Sequence, residues 1–364
     1  MTPAGERPRI VHVGPDPTGP GGMEAVLGNL LSSSLGSRYQ LDVIVTYRTR
    51  DPIQRLLVFA RALFQLARWC RGGGSRLVHV HTAVRGSIYR KALCVMVAVW
   101  AGRPVLLQLH AGAGDIDAFV ARLGPFRRGL LTRAVRAADV VVSVSAPGAR
   151  RIEQLFAARD VIVMPNAAPV VQPVTAPASS ADRPSVLFMG GFDNPSKGGA
   201  VLVRALPELL RAFPQLEVTL AGTGRPPDEL VALARRHPGV HSVGWLEAQA
   251  KEERLSRCDV FVMPSISEGM PMALLEAMAY GRAIVASDVG GIPDVVADGT
   301  EAILVPPSDP RALTAGLVRV VSDDELRARI ASGARERVKE FEAVKVYDRI
   351  AAVYDDLLAS RQRR

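Results

Sequence analysis

The sequence is poor in cysteine and contains no long apolar segment. Its three cysteines, Cys70, Cys94 and Cys258, are scattered over 364 residues, which argues against a disulfide framework and is typical of a reducing compartment. The longest apolar run, residues 92–101, is about half of the ~20 residues that a membrane-spanning helix needs. The first residues lack the apolar core of a secretory signal peptide. These absences predict a cytoplasmic protein.

Lysine is also scarce, and charge is unevenly distributed. Only 5 of the 45 basic residues are lysine, and 36 acidic residues leave a net charge of +9. Residues 1–170 carry +12, whereas residues 171–364 carry −3, and a basic half often faces an anionic partner. At roughly 150 residues per domain, the length predicts two domains. The 48% of apolar residues suffices for a core in each and excludes wholesale disorder.

Both halves alternate short β-branched runs with segments of helical spacing. The predicted helices include residues 22–35, 310–321 and 324–341. The predicted strands are residues 9–14, 41–46, 77–81, 104–109 and 140–144 in the first half, and 185–189, 216–221, 240–243, 259–263, 283–286 and 302–305 in the second. Strands separated by helices indicate two α/β domains with parallel, doubly wound sheets.

Five prolines without periodicity interrupt this pattern between residues 165 and 184, which is typical of a linker. The predicted domains are therefore residues 1–165 and residues 185–344, joined by the linker 166–184. Such a pair of domains favours a ligand site in the cleft between them, at the carboxyl ends of the strands.

The most specific motif is SISEGMPMALLEAMAYG at residues 265–281. It follows a predicted strand, and Pro271 suits the first turn of a helix that begins there. The backbone N–H groups at the helix start would form an anion site, with Glu268 just before the helix and Glu276 inside it. These amides belong to Met270, Met272 and Ala273. A helix cap at Glu268 and a solvated Glu276 are the alternative, but the apolar neighbours of Glu276 favour a ligand-binding role.

A second motif, MGGFDNPSKGG at residues 189–199, is a glycine-rich loop after the first strand of the second half. Glycines such as Gly191 let the backbone approach a ligand closely, and the ammonium group of Lys197 is a natural phosphate contact. The spacing is not that of a P-loop. A plain surface turn is the alternative interpretation.

The first half offers candidates after two of its strands. Gly21 and Gly22 precede a predicted helix and offer backbone donors to an anion. The loop 14–24 is too rich in proline for the dinucleotide-binding fingerprint, and a tight turn is the alternative. His110 ends a predicted parallel strand, where a histidine is well placed for a ligand site.

Metal-binding patterns are weak throughout the sequence. Asp115 and Asp117 form an Asp-x-Asp pair without further ligands. His79 and His81 share one face of a predicted strand, but no Cys, Asp or Glu accompanies them at ligand spacing. We interpret this histidine pair as structural or cleft-lining.

Together the motifs resemble the family-4 retaining glycosyltransferases, which have the GT-B fold of two Rossmann-like domains facing across a cleft. The resemblance covers nearly the whole chain. EGMPMALLE at residues 268–276 matches the family's Glu-x7-Glu element and is followed by AIVAS at 283–287 and GGIPD at 290–294. In the first half, residues 163–166 look like the segment that closes the first domain, residues 21–24 like its phosphate loop, and His110 like the histidine beside the donor sugar.

This resemblance implies transfer of a sugar from a nucleoside diphosphate sugar, UDP- or GDP-linked, to a glycan or lipid-linked acceptor with retention of configuration. It also implies that a C-terminal helix, 345–364, crosses back onto the first domain. The implied catalytic residues are His110, Glu268 and Lys197. The implied donor-binding residues are Gly21, Gly22, Gly191, Lys197, Glu268, Gly269, Met270, Pro271, Met272 and Glu276. Among them, Glu268 would contact the sugar hydroxyls, Glu276 the ribose and Lys197 the diphosphate.

One feature departs from the family. Where members commonly have Gly-Arg ahead of Lys-Gly, this chain has Gly190 and Gly191 ahead of Lys197 and Gly198. The usual Arg–Lys pair on the diphosphate is incomplete, so either donor affinity is lower or another arginine substitutes.

Because no metal-binding pattern in the sequence is convincing, we expect a metal-independent enzyme without a cofactor, in which amides and cations take the place of a divalent ion. Breaking a sugar–phosphate bond places negative charge on the leaving diphosphate, which Lys197 and backbone amides would stabilise. The family resemblance implies front-face attack by the acceptor. The residues alone leave a double displacement open.

Three arginine-rich amphipathic segments, residues 52–71, 85–103 and 119–136, suit an anionic membrane surface, and a solvated helix face is the alternative. Residues 79–91 further resemble members that build capsular or exopolysaccharide repeat units. We therefore expect a cytoplasmic enzyme with peripheral association to the inner face of the membrane.

Two other function classes remain open. A sugar-nucleotide epimerase or a glycan phosphorylase can use a similar fold. A basic module that binds nucleic acid or membrane without catalysis would explain the charge, but the chain has no zinc, helix-turn-helix or aromatic RNA motif, so no nucleic-acid partner is expected.

Overall fold

The computed structural model describes residues 7–19, 21–48, 51–84, 86–159, 161–171 and 184–362. The chain divides into two compact units, Met1–Ala167 with Ala343–Arg364, and Ala168–Glu342. Most of the linker predicted at 166–184, namely residues 172–183, lies outside the described residues.

The first unit is built on a six-stranded parallel sheet of order β2-β1-β3-β4-β5-β6. Its strands are β1 (Arg9–Gly14), β2 (Gln40–Val45), β3 (Arg76–Thr82), β4 (Val105–Leu109), β5 (Val140–Ser143) and β6 (Val161–Val163). Its helices are α1 (Gly22–Leu31), α2 (Leu35–Arg38), α3 (Pro52–Cys70), α4 (Gly86–Trp100), α5 (Ala113–Val120), α6 (Pro125–Ala137), α7 (Ala146–Phe156) and the C-terminal α14 (Ala343–Gln362).

Helices cover both faces of this sheet, which explains why most residues of its central strands are buried. On one face, α3 to α7 pack through side chains such as Leu66, Val95 and Phe156. On the other face, Leu30 of α1 and Tyr354 of α14 share a cluster with Ile10 and Leu77 of the strands.

The second unit contains a second parallel sheet of six strands, with the order β12-β11-β10-β7-β8-β9. Its strands are β7 (Ser185–Met189), β8 (Glu217–Ala221), β9 (Val240–Val243), β10 (Val260–Met263), β11 (Ala283–Ser287) and β12 (Ile303–Val305). Its helices are α8 (Gly199–Ala212), α9 (Asp228–Arg236), α10 (Ala248–Arg257), α11 (Met272–Ala279), α12 (Pro310–Ser322) and α13 (Asp324–Arg337). Because β7 and β10 are adjacent and parallel, the loops that follow them lie at the same sheet edge.

The predicted α/β class with two doubly wound sheets is confirmed, and every predicted strand is present within about one residue. The short strand β6 was not predicted. The single helix predicted over residues 22–35 is wrong, because α1 ends at Leu31. The hydroxyl of Ser33 donates to the carbonyl oxygen of Leu30 at 2.6 Å, and such bonds compete with helix continuation.

Two further helix boundaries differ from the sequence-based expectation. The helix predicted over 324–341 changes to a 3-10 turn at Val338–Phe341. The helix expected from Pro271 begins one residue later, at Met272, with Pro271 at the N-cap. No helix of the described residues combines the length and apolar character that a membrane span requires.

Candidate active site

An ion pair joins two of the predicted site residues at the carboxyl edge of the second sheet. Lys197 Nζ donates to Glu268 Oε1 at 2.9 Å and to Oε2 at 3.0 Å. Ser265 Oγ adds a third hydrogen bond, to Oε1 at 2.8 Å. The Glu268 side chain is only 6% exposed, whereas that of Lys197 is 33% exposed. The carboxylate is therefore held from two sides, and the lysine still has access to a ligand.

Backbone contacts hold the turn that contains Lys197 against the loop that contains Glu268. Lys197 closes a 3-10 turn, Pro195–Lys197, whose cap is the side chain of Asn194. Gly198 follows with a φ of 72°, and a Cβ at this position would lie 1.7 Å from the carbonyl oxygen of Pro264, so only glycine fits. The N–H of Ile266 donates to the carbonyl oxygen of Ser196 at 2.7 Å. This hydrogen bond holds the loop that carries Lys197 at a fixed distance from the loop that carries Glu268.

Gly191 lies in the same loop and packs against the loop that follows β8. Its φ is 73°, and a Cβ would lie 2.5 Å from the carbonyl oxygen of Thr223. The hydroxyl of Thr223 donates to Asp193 Oδ1 at 2.7 Å. Gly191 is thus required by this close backbone approach, whether or not a ligand is bound.

The donor-binding residues predicted at the start of α11 are Gly269, Met270, Pro271 and Met272, beside the anion site predicted at the amides of Met270, Met272 and Ala273. Met270 and Met272 are each 7% exposed, so this segment is packed into the unit rather than solvated. In the same loop, the Ser267 hydroxyl is buried and has no hydrogen-bond partner among the described residues. A buried polar atom without a partner is costly, and its place beside Glu268 is where a polar ligand would satisfy it.

Glu276 is buried within α11 and pairs with a lysine that the sequence reasoning missed. Lys251 Nζ of α10 donates to Glu276 Oε1 at 2.6 Å, and the glutamate side chain is 11% exposed. Burial raises the pKa of Glu276, and the charge and hydrogen bond of Lys251 oppose that rise. The solvated Glu276 of the alternative interpretation is wrong. Lys251 lies in the highly charged segment AQAKEERLSR, which gives no sign of its partner.

In the first unit, His110 follows β4 and is hydrogen-bonded to the buried His81. His110 Nε2 and His81 Nδ1 are 3.1 Å apart, and His81 Nε2 is 3.1 Å from Nδ1 of His12. Burial lowers the pKa of His110 to about 4 and that of His12 to about 3, and it also lowers the pKa of His81. All three rings are therefore neutral at physiological pH.

Gly21 and Gly22 lie at the amino end of α1, as predicted, but an acidic side chain lies against Gly21. A Cβ on Gly21 would be 2.3 Å from Oε2 of Glu24, and Glu24 is in the first turn of the helix. Burial raises the pKa of the Glu24 carboxyl group. An anion at these amides would compete with this carboxyl group, and a protonated Glu24 would favour the anion.

The candidate metal ligands are engaged in other contacts. Asp117 forms an ion pair with Arg151. The described residues contain one group of three close ligand atoms, from His12, His79 and His81. In it, His79 Nδ1 is 2.6 Å from the Tyr354 hydroxyl, and His79 Nε2 is 3.0 Å from Gln108 Oε1. These buried rings fit a hydrogen-bonded core better than a metal centre, since binding an ion would break the existing bonds.

The structure thus distributes the predicted residues over the two units. In the second unit, Lys197, Glu268 and the start of α11 lie together at one sheet edge, and Gly191 lies in the loop that carries Lys197. His110, Gly21 and Gly22 lie in the loops that follow β4 and β1 of the first unit. Further hydrogen bonds around the predicted residues come from Lys251, Ser265, His12 and His81.

Comparison with known families matches both halves of the chain. Residues 20–170 match the family model described as glycosyltransferase family 4, and residues 183–323 match the model described as glycosyl transferases group 1. A phosphatidyl-myo-inositol mannosyltransferase of Mycolicibacterium smegmatis is 30% identical over 299 residues, which cover 80% of this chain and 74% of the relative. A glycogen synthase of Mycobacterium tuberculosis is 29% identical over 269 residues, covering 73% of this chain and 61% of that protein.

Solved structures share the fold at lower identity. A sucrose-phosphate synthase from Thermosynechococcus elongatus superposes with a TM-score of 0.77 at 20% identity, covering 97% of this chain and 100% of that chain. The Anabaena protein HepE, solved in complex with UDP and glucose, superposes with a TM-score of 0.73 at 17% identity, covering 96% and 100%.

Proposed function

This chain belongs to glycosyltransferase family 4 and is a hexosyltransferase, and we propose that it transfers a hexose from a nucleoside diphosphate sugar with retention of configuration and without a metal ion or cofactor. The observation that carries the proposal is the Lys197–Glu268 pair beside the buried start of α11. This pair places the Lys197 ammonium group, a cation for a diphosphate, and the Glu268 carboxylate, an acceptor for sugar hydroxyls, at one sheet edge. The Anabaena neighbour HepE, solved in complex with UDP and glucose and in complex with UDP-glucose, supports this donor class.

Each residue has a distinct role in the proposed reaction. The bond from the anomeric carbon to the leaving phosphate oxygen breaks, and Lys197 stabilises the negative charge that develops there. Glu268 accepts hydrogen bonds from the sugar hydroxyls, and Glu276 accepts them from the ribose. Backbone amides at the start of α11, such as those of Met272 and Ala273, donate to the diphosphate.

The acceptor step follows from the pairing of Glu268. Because both oxygens of this carboxylate contact Lys197, we assign it no role as nucleophile. The acceptor oxygen attacks the anomeric carbon on the face that the phosphate leaves, the new glycosidic bond forms there, and the departing phosphate oxygen takes the acceptor's proton. This front-face route accounts for retention without a covalent intermediate.

A thermal-shift screen followed by a transfer assay tests the donor assignment. We expect one nucleotide among UDP, GDP and ADP, and the corresponding nucleotide sugar, to raise the Tm by mass action. In the transfer assay, the sugar of that donor should appear in a product with the same anomeric configuration as the donor. Lys197→Ala should lose the shift, whereas the control Lys339→Ala, at an exposed lysine, should keep it. An epimerised free sugar nucleotide, or strict dependence on inorganic phosphate, would instead indicate an epimerase or a phosphorylase.

We also propose that the acceptor is lipid-linked and that the first unit binds an anionic membrane surface to reach it. Eight of the fourteen exposed large apolar residues of the described chain lie on α3, α4 and α6. On α3, Ile53, Leu57 and Phe64 are each more than 60% exposed and share a stripe with the exposed Arg61 and Arg68. Apolar and basic side chains on one helix face are typical of interfacial helices.

Sedimentation with vesicles tests this surface. Vesicles that contain about 30% anionic lipid should bind the protein at low salt, and binding should weaken as salt rises. A Leu57→Asp and Phe64→Asp double variant should bind at least about fivefold more weakly. Val231→Asp, which changes an exposed apolar residue of the second unit, is the matched control. Equal sedimentation of wild type and the α3 double variant would reject the assignment.

A further inference from the structure

Three histidines of the first unit form a continuous hydrogen-bonded chain across the sheet. His12 lies on β1, His81 on the neighbouring β3 and His110 just after β4. Nδ1 of His12 is 3.1 Å from Nε2 of His81, and Nδ1 of His81 is 3.1 Å from Nε2 of His110. The rings are close to parallel along the chain, with interplanar angles of 28° and 26°. The chain begins in the core and ends at the carboxyl edge of the sheet.

A fourth histidine belongs to a separate, closed network. His79 stacks on His81 with ring centroids 4.0 Å apart, but it is hydrogen-bonded to Tyr354 and Gln108 instead. The Gln108 oxygen can only accept, so His79 carries its proton on Nε2 and accepts from the Tyr354 hydroxyl at Nδ1. His79 is therefore equally buried but not connected to His110.

The neutral charge of the chain restricts how its protons are arranged. Each neutral imidazole has one N–H and one acceptor nitrogen, so two hydrogen bonds among three rings must run in the same direction. Either every ring donates toward the core, or every ring donates toward the sheet edge. The first arrangement would leave an N–H on Nε2 of His12.

The core end of the chain decides between the two directions. Nε2 of His12 is buried and has no partner among the described residues. Orphaned buried N–H groups are rarer in proteins than orphaned acceptors, which favours an unprotonated Nε2 on His12. His12 then donates to His81, and His81 donates to Nε2 of His110.

We propose that His81 and His12 are positioning residues that hold His110 as the Nδ1–H tautomer, so that His110 offers a hydrogen-bond donor to an oxygen of the bound substrate. The inference rests on the proposed function, since that function gives His110 a substrate to contact. In this state His110 has no free acceptor nitrogen, because its Nε2 accepts from His81. His110 therefore acts as a donor in the reaction and not as a general base.

Two amide substitutions at His81 separate its two hydrogen bonds. The amide of His81→Asn lies near the position of Nδ1 and retains a donor to His110. The longer His81→Gln places its amide near Nε2 and retains only the contact with His12. We expect kcat of His81→Asn to stay within about threefold of wild type. For His81→Gln we expect kcat to fall about tenfold, with a donor KM changed by less than about threefold.

His79→Gln is the matched control, since it changes a buried histidine of the same strand that does not contact His110. Its kcat should stay within about threefold of wild type. Equal kcat values for His81→Asn and His81→Gln would overturn the inference.

A direct readout of the tautomer is independent of activity. The chain has only six histidines, so NMR of protein with ¹⁵N-labelled histidine can assign each ring nitrogen. We expect Nδ1 of His110 to be protonated and its Nε2 unprotonated in the wild type, with both tautomers populated in His81→Gln. Protonation of Nε2 in the wild type would overturn the inference. Wild-type turnover of His110→Ala would instead reject the role of His110 in the proposed function, while the spectra still decide the tautomer.

Discussion

Lys197 contacts both carboxylate oxygens of Glu268, at 2.9 and 3.0 Å, across 71 positions of sequence. The two charges differ in access, since the glutamate side chain is 6% exposed and the lysine side chain 33% exposed. A buried carboxylate is tolerated when it is paired and hydrogen-bonded. The pair therefore keeps a buried hydrogen-bond acceptor in place within the second unit.

Removing the lysine should damage both catalysis and stability. We expect Lys197→Ala to lower transfer at least tenfold, about 1.4 kcal/mol, because the leaving diphosphate loses its cation. We also expect a lower Tm, because the buried Glu268 is left unpaired. Adding Glu268→Gln should restore the Tm but not the turnover. Initial rates and thermal unfolding measure the two effects, and near-wild-type turnover of Lys197→Ala with the true donor would contradict the site assignment.

Glu276 should matter for nucleotide binding. We expect Glu276→Ala to lower transfer at least tenfold, since the ribose hydroxyls lose their acceptor. Glu301→Ala removes a glutamate whose carboxylate accepts a hydrogen bond from the backbone N–H of Ala297 in an exposed turn, and it is the matched control. Titration calorimetry with the nucleotide separates lost affinity from a lost chemical step. Unchanged affinity and turnover would show that the Lys251–Glu276 pair is only structural.

Lys251 should set the pH range over which Glu276 is ionised. Burial raises the pKa of Glu276, and Lys251 lowers it again. In Lys251→Met the pKa should therefore rise further, so the carboxylate is protonated at a higher pH and nucleotide affinity is lost earlier as the pH falls. In a plot of nucleotide affinity against pH, the acid limb of Lys251→Met should therefore shift to higher pH. The acid limb of Lys251→Arg should stay near the wild-type position. A downward shift, or none, would contradict this coupling.

The strands were predictable because parallel strands covered on both faces are apolar throughout, as in residues 186–188 and 260–263. The motif around Glu268 was recognisable because its spacing is local. The pairing of Glu276 with Lys251 was not, since α10 reads as a solvated helix and the contact depends on how α10 packs. The histidine chain depends on strand order, because β1, β3 and β4 become neighbours only in the folded sheet.

Local features of the chain explain the remaining differences between the predicted and the observed helices and strands. The apolar spacing continues to Leu35, but Ser33 bonds back to Leu30 and the chain turns. The strand β6 has three residues, too few for an alternation to be visible. At Ser33 a side-chain contact outweighs the periodic signal, and at β6 there is no periodic signal to detect.

Transfer should not require a divalent ion. In the proposed reaction, Lys197 and the amides at the start of α11 supply the positive potential. Asp117 is paired with Arg151, and both nitrogens of His79 are hydrogen-bonded within the core. We expect initial rates in excess EDTA to stay within about twofold of those with Mg²⁺. A loss of more than about tenfold that Mg²⁺ restores would contradict metal independence.

Lys91 should make the stability of the first unit depend on pH. Its side chain is 2% exposed, and its ammonium group donates to the hydroxyl of Thr46. Burial lowers its pKa from 10.5 to about 7, with Cys94 and Arg90 as the nearby charged or titratable groups. Because the folded pKa is the lower one, the unfolded chain binds more protons between about pH 7 and 10.5.

The energetic penalty of burying Lys91 is therefore complete below about pH 7 and disappears as the pH approaches 10.5. At about 1.4 kcal/mol per pKa unit, it amounts to at most roughly 5 kcal/mol. We expect Lys91→Met to raise the free energy of unfolding at pH 6 and to raise it less at pH 9. In a Trp245→Phe background, tryptophan fluorescence comes only from Trp69 and Trp100 of the first unit, so urea unfolding reports that unit. Lys345→Met, at an exposed lysine of the same unit, should show no such pH dependence. An equal gain for Lys91→Met at both pH values would contradict the lowered pKa.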